Sequence, residues 1–256
     1  MTAYERDVIR VDGPDALTYL DGQLSQDLKT LNIGDSAFSL LLQPQGKVDA
    51  WLRVTRTGDD EFALDVDAGW AEHVITRLRR FMLRMKIDLA VLDWKVAVLG
   101  SVDEPVPEDA WRVVSEVEGT TTLLGPSLVG DITDEEYEKL RIEHLIPRMG
   151  SELDESTIPA SAGVVDRSVS FTKGCYTGQE LVARIDSRGD RTPTRLRRIR
   201  GDVPVGATLY VDDADVGRIT SAASGVALAY VRRAVEPPTV AEGRWDGGVA
   251  TVTVEA

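Results

Sequence analysis

A change of texture near residue 190 constrains this chain's fold more than any other feature. Downstream, short apolar runs at 195–200, 207–211, 216–221, 226–231 and 249–254 alternate with Gly, Pro or Asp turns. Five or six short strands of that kind predict a small antiparallel β-barrel. Upstream, strand and helix periods mix without strict βαβ alternation, which favours α+β over a doubly wound sheet. Two units follow, residues 1–190 and 191–256, and 256 residues suffice to bury a core in each.

Within the first unit, Gly13-Pro14 opens a short helix carrying Leu17 and Leu20, with Gly22 as its C-cap. Residues 36–42, 48–55 and 61–66 read as strands joined by turns at Pro44-Gln45-Gly46 and Gly58-Asp59-Asp60. From Ala71 to Met85 the period becomes helical, through Val74, Leu78, Phe81 and Met85. Apolar segments 87–92 and 94–99 follow, then an Asp/Glu/Pro-rich surface excursion over 101–119 and a strand over 120–124. Thr133 and Glu136 form a capping box for a helix that Pro147 ends. Residues 150–172 look irregular.

Charge limits the partners. A net charge of −14 repels nucleic acid and anionic membranes over the surface as a whole, so direct nucleic-acid binding is not expected. No apolar run reaches the roughly 18 residues of a membrane helix. The first residues, Met1 to Asp7, lack a secretory pattern, so the expectation is cytoplasmic. One cysteine and two histidines, His73 and His144, form no metal-binding pattern, so no zinc or iron–sulfur site is expected on one copy. Against the acidic background stand seven arginines at 184, 188, 191, 195, 197, 198 and 200. They read either as a solvated strand and loop or as an anion-binding edge.

That cysteine lies in Lys173-Gly174-Cys175-Tyr176-Thr177-Gly178-Gln179-Glu180, ahead of Leu181-Val182-Ala183-Arg184. Gly174 and Gly178 allow tight turning or close backbone approach, and Gln179 to Arg184 should start a helix. A thiol just before a helix N-terminus, two residues from an ammonium, is placed to favour its thiolate. A reactive or redox-responsive thiol and a small buried turn filler both fit this placement.

The octapeptide resembles the signature of the YgfZ-type folate-binding proteins, a family that maintains iron–sulfur enzymes and is related to the glycine-cleavage T protein, an aminomethyltransferase. Further stretches extend the resemblance. Gly22-Gln23-Leu24-Ser25-Gln26-Asp27 is similar to an N-terminal stretch of both families. Leu140-Arg141-Ile142-Glu143, followed by Pro147 and Gly150, is similar to the T-protein segment that supplies a carboxylate to the pterin ring. Gln45-Gly46-Lys47-Val48-Asp49 resembles a T-protein turn that continues into two adjacent aspartates. Here the pair is Asp49-Ala50, and one acid is missing. The T protein has a Phe-Ile-Gly-x-Glu version of the octapeptide without cysteine, which places this chain on the YgfZ side.

The resemblance implies a T-protein-like core followed by the barrel, with a tetrahydrofolate derivative, of the kind that can carry a polyglutamate tail, in a central pocket. It implies Glu143 at the pterin, Asp49 near the one-carbon position, and Cys175 with Lys173 on the reactive side. Gln23, Tyr176, Gln179, Glu180 and Arg184 would complete the binding set. The implied partners are folate and iron–sulfur client enzymes. Aminomethyl or one-carbon transfer, or association with tRNA modification, are the alternatives. His73 and His144 read as ordinary helix residues.

Overall fold

The computed structural model describes residues 5–100, 105–129, 132–189 and 191–256. The expectations placed on Met1 to Tyr4, on Ser101 to Glu104 and on the boundary at Asp190 lie outside the described residues. In chain order the first unit contains β1 (Arg6–Asp12), α1 (Ala16–Gln23), β2 (Ser36–Leu42), β3 (Val48–Arg56), β4 (Glu61–Asp67), α2 (Ala71–Arg79), β5 (Asp88–Leu92), β6 (Lys95–Leu99), β7 (Trp111–Val113), β8 (Thr121–Gly125), α3 (Asp134–Glu143), α4 (Val165–Ser168) and α5 (Gln179–Asp186). The second holds β9 (Thr194–Arg200), β10 (Thr208–Val211), β11 (Ala214–Ala223), β12 (Val226–Arg232), β13 (Thr239–Trp245) and β14 (Gly248–Glu255).

The strands make a five-stranded sheet ordered β2-β3-β4-β1-β5, a three-stranded sheet ordered β6-β8-β7, and a closed barrel ordered β10-β11-β12-β9-β14-β13. Every pairing is antiparallel, so the α+β reading holds. β3 and β4 are buried along nearly their whole length because helices and loops cover the large sheet. Its core gathers Leu40, Trp51, Leu52 and Leu64 from the sheet with Leu20 of α1 and Leu78 of α2.

The short sheet is joined to the large one by a buried ionic cluster. Arg53 Nε and Nη2 donate a 2.8 Å fork to Asp65, and Arg6 Nη1 reaches Glu116 at 2.8 Å. Glu116 lies in the stretch expected to be a surface excursion. That expectation fails because Trp111–Val113 pairs with β8 and buries Val113, Glu116 and Val117.

The capping box forms as read: Thr133 Oγ1 accepts from Glu136 N at 3.2 Å and Glu136 accepts from Thr133 N at 2.8 Å. Five elements differ from the sequence reading. β1 is a strand that the N-terminal residues did not announce, and β13 adds the sixth barrel strand. α1 runs through Gly22 to Gln23, so Leu24 is its cap. α3 closes at Glu143, ahead of Pro147, because Leu145 takes a left-handed φ of 56°. α2 stops at Arg79 with Arg80 as its cap, and Phe81 and Met85 continue in a turn in which Arg84 is left-handed at φ 66°.

The barrel meets the first unit along a mixed seam. Ile142 packs against Leu196, Val226 and Leu228. Beside them the fully buried Arg141 donates through Nη1 to Ile146 O at 3.0 Å and through Nη2 to Ser221 Oγ at 2.7 Å. Ser221 donates in turn to Glu152 Oε1 at 2.6 Å, and Glu152 pairs with Arg141 at 3.3 Å.

Candidate functional site

Three of the stretches singled out in the sequence meet in space. The Gly46 turn between β2 and β3 lies against Gly178, which caps α5 with a left-handed φ of 82°. A Cβ at Gly178 would stand 2.5 Å from Gln43 O and 3.2 Å from Gly46 Cα, and one at Gly46 would stand 2.5 Å from Leu181 Cβ. Both glycines are required by contact as well as by φ. The octapeptide is thus pressed onto the turn that leads to Asp49.

Lys173 joins the third stretch. Its ammonium is almost wholly buried and donates to Asp21 O at 2.6 Å, Gln26 O at 2.8 Å, Leu24 O at 2.9 Å and Asp21 Oδ1 at 3.1 Å. Burial pushes its pKa below the ordinary lysine value, with Asp21 opposing. At Asp21 burial works against the charge, but hydrogen bonds from Lys29 and Lys173 outweigh it and hold the carboxyl below the usual range. Lys173 was expected on the reactive side of the thiol. Its ammonium also ties residues 21–26 to the octapeptide.

Asp49, on β3, is 6% exposed and faces α2. Its Oδ1 lies 2.8 Å from His73 Nε2 and its Oδ2 accepts from Arg77 Nε at 2.9 Å. The two partners are four residues apart on α2, hence on one face of the helix. Arg77 also reaches Leu42 O at 3.2 Å and Gln23 Oε1 at 3.5 Å. Sequence reasoning set His73 aside for want of a neighbouring ligand. The signal lay in the i, i+4 spacing of a histidine and an arginine opposite a strand aspartate.

Asp49, His73 and Glu155 also bring three donor atoms within 4.8 Å, an arrangement that sequence separation hid. Both Asp49 oxygens already have protein partners, one of them the Arg77 cation. Asp49 with His73 and Arg77 is thus a hydrogen-bonded set, with the Glu155 carboxylate beside it.

Cys175 is exposed on the loop before α5, which excludes the buried-filler reading. Gln179 Oε1 accepts from Tyr176 N at 3.2 Å and stiffens that loop. Tyr176 packs into the main core, where burial pushes its hydroxyl up to about 12. A cavity of about 220 Å³ opens beside the loop, lined by Phe171, Lys173, Tyr176, Gln179 and Glu180 among others. Arg184 is exposed in the last turn of α5.

Glu143 goes elsewhere. Its carboxylate is held in a fork by Arg200 at 2.5 and 2.6 Å, and its carbonyl accepts from Arg198 at 2.6 Å. The hydrogen bonds from Arg200 keep its carboxyl below the usual range. The arginine-rich stretch accordingly divides. Arg198 and Arg200 serve the seam and pair with Glu255, while Arg184, Arg188 and Arg191 are exposed.

This architecture is that of an aminomethyltransferase T protein. The glycine cleavage system aminomethyltransferase T of Bartonella henselae matches 99% of this chain and 84% of its own with a TM-score of 0.82, at 19% identity. In sequence the chain is 30% identical over 210 residues to the mitochondrial iron–sulfur cluster assembly factor IBA57 homolog of Pyricularia oryzae, covering 72% of this chain and 53% of that protein. It is 27% identical over 226 residues to the tRNA-modifying protein YgfZ of Escherichia coli, covering 74% and 68%. The chain thus spans about half the length of the fungal relative. No family model matches. The resemblance first seen in the octapeptide is borne out: relatives of the YgfZ and IBA57 type, on a T-protein fold. Among the described residues no helix is long and apolar enough to cross a membrane.

Proposed function

We propose that this protein is a folate-binding accessory factor that supports the assembly or repair of iron–sulfur enzymes through a tetrahydrofolate derivative. The observation that carries this reading is the convergence of residues 21–27, 43–49 and 173–180 around Asp49, on a T-protein fold whose sequence relatives carry iron–sulfur assembly and tRNA-modification names.

The residues suit such a ligand in part. Asp49 is a buried carboxylate held in one orientation by His73 and Arg77, ready to face a one-carbon-bearing nitrogen. The bound folate would supply the one-carbon unit. Phe171, Gln179 and Glu180 offer an aromatic platform, an amide and a carboxylate at the cavity beside Cys175. Glu143 would meet a pterin edge with the lone pairs left outside its fork with Arg200, since a carboxylate has about four acceptor sites. The single acid at Asp49-Ala50 tells against aminomethyl transfer as the main activity.

Titration calorimetry with tetrahydrofolate and its formyl and methylene forms tests the reading. The wild-type protein should bind at least one form. Asp49→Asn and Glu143→Gln should each lose about 1.5–3 kcal/mol, the usual worth of a hydrogen bond to a charged group. Absence of binding to every form, with the fold intact, would remove folate from the proposal.

A further inference from the structure

A second surface lies at the far end of the helix that carries His73 and Arg77. In the turn after α2, Arg79, Arg80, Phe81, Leu83, Arg84 and Lys86 are all exposed, Phe81 at 45% and Leu83 at 86%. Met82 and Met85 lie half-buried beneath them against the main core. None of the Arg79, Arg80, Arg84 and Lys86 side chains makes an ion pair among the described residues. Two neighbouring carboxylates are committed: Asp88 pairs with Arg10, and Asp15 accepts from Lys86 N.

The turn is stiff. Phe81 N donates to Leu78 O at 3.0 Å, Met82 N to Arg79 O at 3.3 Å and Met85 N to Met82 O at 3.0 Å. Arg84 is left-handed at φ 66°, a conformation that costs a non-glycine residue roughly 1–2 kcal/mol. At its base, Gly13 approaches so closely that a Cβ there would stand 2.2 Å from Lys86 O. The Arg77 guanidinium sits 4.4 Å from the Phe81 ring centroid and fixes it from behind. An apolar knob ringed by unpaired cations is therefore held rigid before any partner arrives, which lowers the entropy cost of docking.

We propose that this knob docks a protein partner carrying an apolar pocket rimmed with carboxylates. Two properties select this class of partner. Arg, Met and Phe are among the residues enriched at protein interfaces, and Phe81 with the exposed Leu83 beside it offers an apolar anchor among arginines. An RNA backbone has no use for a leucine. The charge of −14 repels any extended polyanion laid along the surface, whether nucleic acid or anionic membrane. A compact acidic pocket needs only the local cations. Because Phe81 touches Arg77, and Arg77 holds Asp49, the partner would sit next to the folate-site residues without covering them.

The test uses the full chain and a fluorescent peptide alternating Asp or Glu with Leu and Phe. Polyglutamate, an RNA oligonucleotide and phosphatidylserine vesicles serve as comparison probes. The peptide should bind, more weakly as salt rises, and better than polyglutamate. Leu83→Ser should weaken it about tenfold or more, as loss of a central anchor does. The double change Arg80→Glu with Arg84→Glu should abolish binding. All of these positions are exposed, so melting temperatures should stay at the wild-type value. Absence of peptide binding, or binding indifferent to Leu83→Ser and to charge reversal, overturns the proposal. RNA or vesicles binding more tightly than the peptide, with the same variants losing that binding, overturns it in favour of those surfaces.

Discussion

The floor beneath the octapeptide and the seam to the barrel are both built from buried cations and their acceptors, but they differ in what the cation holds. At the floor, Lys173 gathers mostly backbone carbonyls from residues 21–26, and the glycines at 46 and 178 let two loops touch. At the seam, Arg141 is matched by Glu138, Glu152 and Ser221, side chains from three parts of the chain. The floor fixes backbone and leaves side chains such as Cys175 free for a ligand. The seam consumes its side chains in holding two units together. Density of polar groups alone therefore does not mark a functional site; what matters is whether any group is left facing outward.

The largest effects should come from breaking the seam at its centre. Arg141→Met leaves the buried Glu152 charge uncompensated, which costs about 3–5 kcal/mol, whereas Glu152→Gln should cost less because Glu138 still holds Arg141. Denaturant unfolding should report this, and hydrogen exchange should show protection lost first around Ser221 and Tyr230. A change under about 1 kcal/mol would mean that the seam is wetter than its burial indicates.

The floor should yield next, by a different mechanism. Gly178→Ala combines a left-handed penalty of roughly 1–2 kcal/mol with overpacking against Gln43 O and Leu42 of about 1–3 kcal/mol. Gly189→Ala is the matched control, since Gly189 has φ 71° but nothing within 4 Å of its added Cβ. It should show only the first cost. Equal losses at the two positions would show that the contact between Gly46 and Gly178 contributes nothing.

The same contrast explains how far the sequence could be read. The barrel, the capping box at Thr133 and the strands flanking Gly46 were legible because turn residues and local periods specify them. The end of α2 was not, because Phe81 and Met85 keep helical spacing although the helix stops at Arg79. β7 was hidden because an Asp/Glu/Pro-rich composition masked a pairing that only β8 supplies. At the site, Cys175 and Asp49 were found through motifs that lie close in the chain. The i, i+4 spacing of His73 and Arg77 puts them on one helix face, but that the face meets Asp49 depends on α2 packing across β3, which no local pattern specifies. Lys173 and Glu143 were identified as notable residues, but their partners lie 147 to 152 and 57 positions away respectively.

The smallest expected effect sharpens the comparison at the outer edge of the seam. Glu143 and Arg200 are partly exposed, at 26% and 39% of their side chains, so their fork should be worth only about 0–1 kcal/mol. The hydrogen bonds from Arg200 lower the Glu143 pKa below its ordinary value of 4.5. The folded state therefore favours the ionised carboxylate, and this stabilisation is fully present above that ordinary value. It fades as pH falls through the lowered folded-state value. Glu143→Gln should accordingly lower the melting temperature slightly near neutral pH. The difference from wild type should close once pH has fallen through that lowered value and the carboxylate is protonated in either state. Arg200→Gln should give a deficit at least as large, since it also gives up Glu255, and the double variant should be no worse than Arg200→Gln alone. A Glu143→Gln deficit that persists at low pH would locate its cost in the lost contact to the barrel and not in the charge.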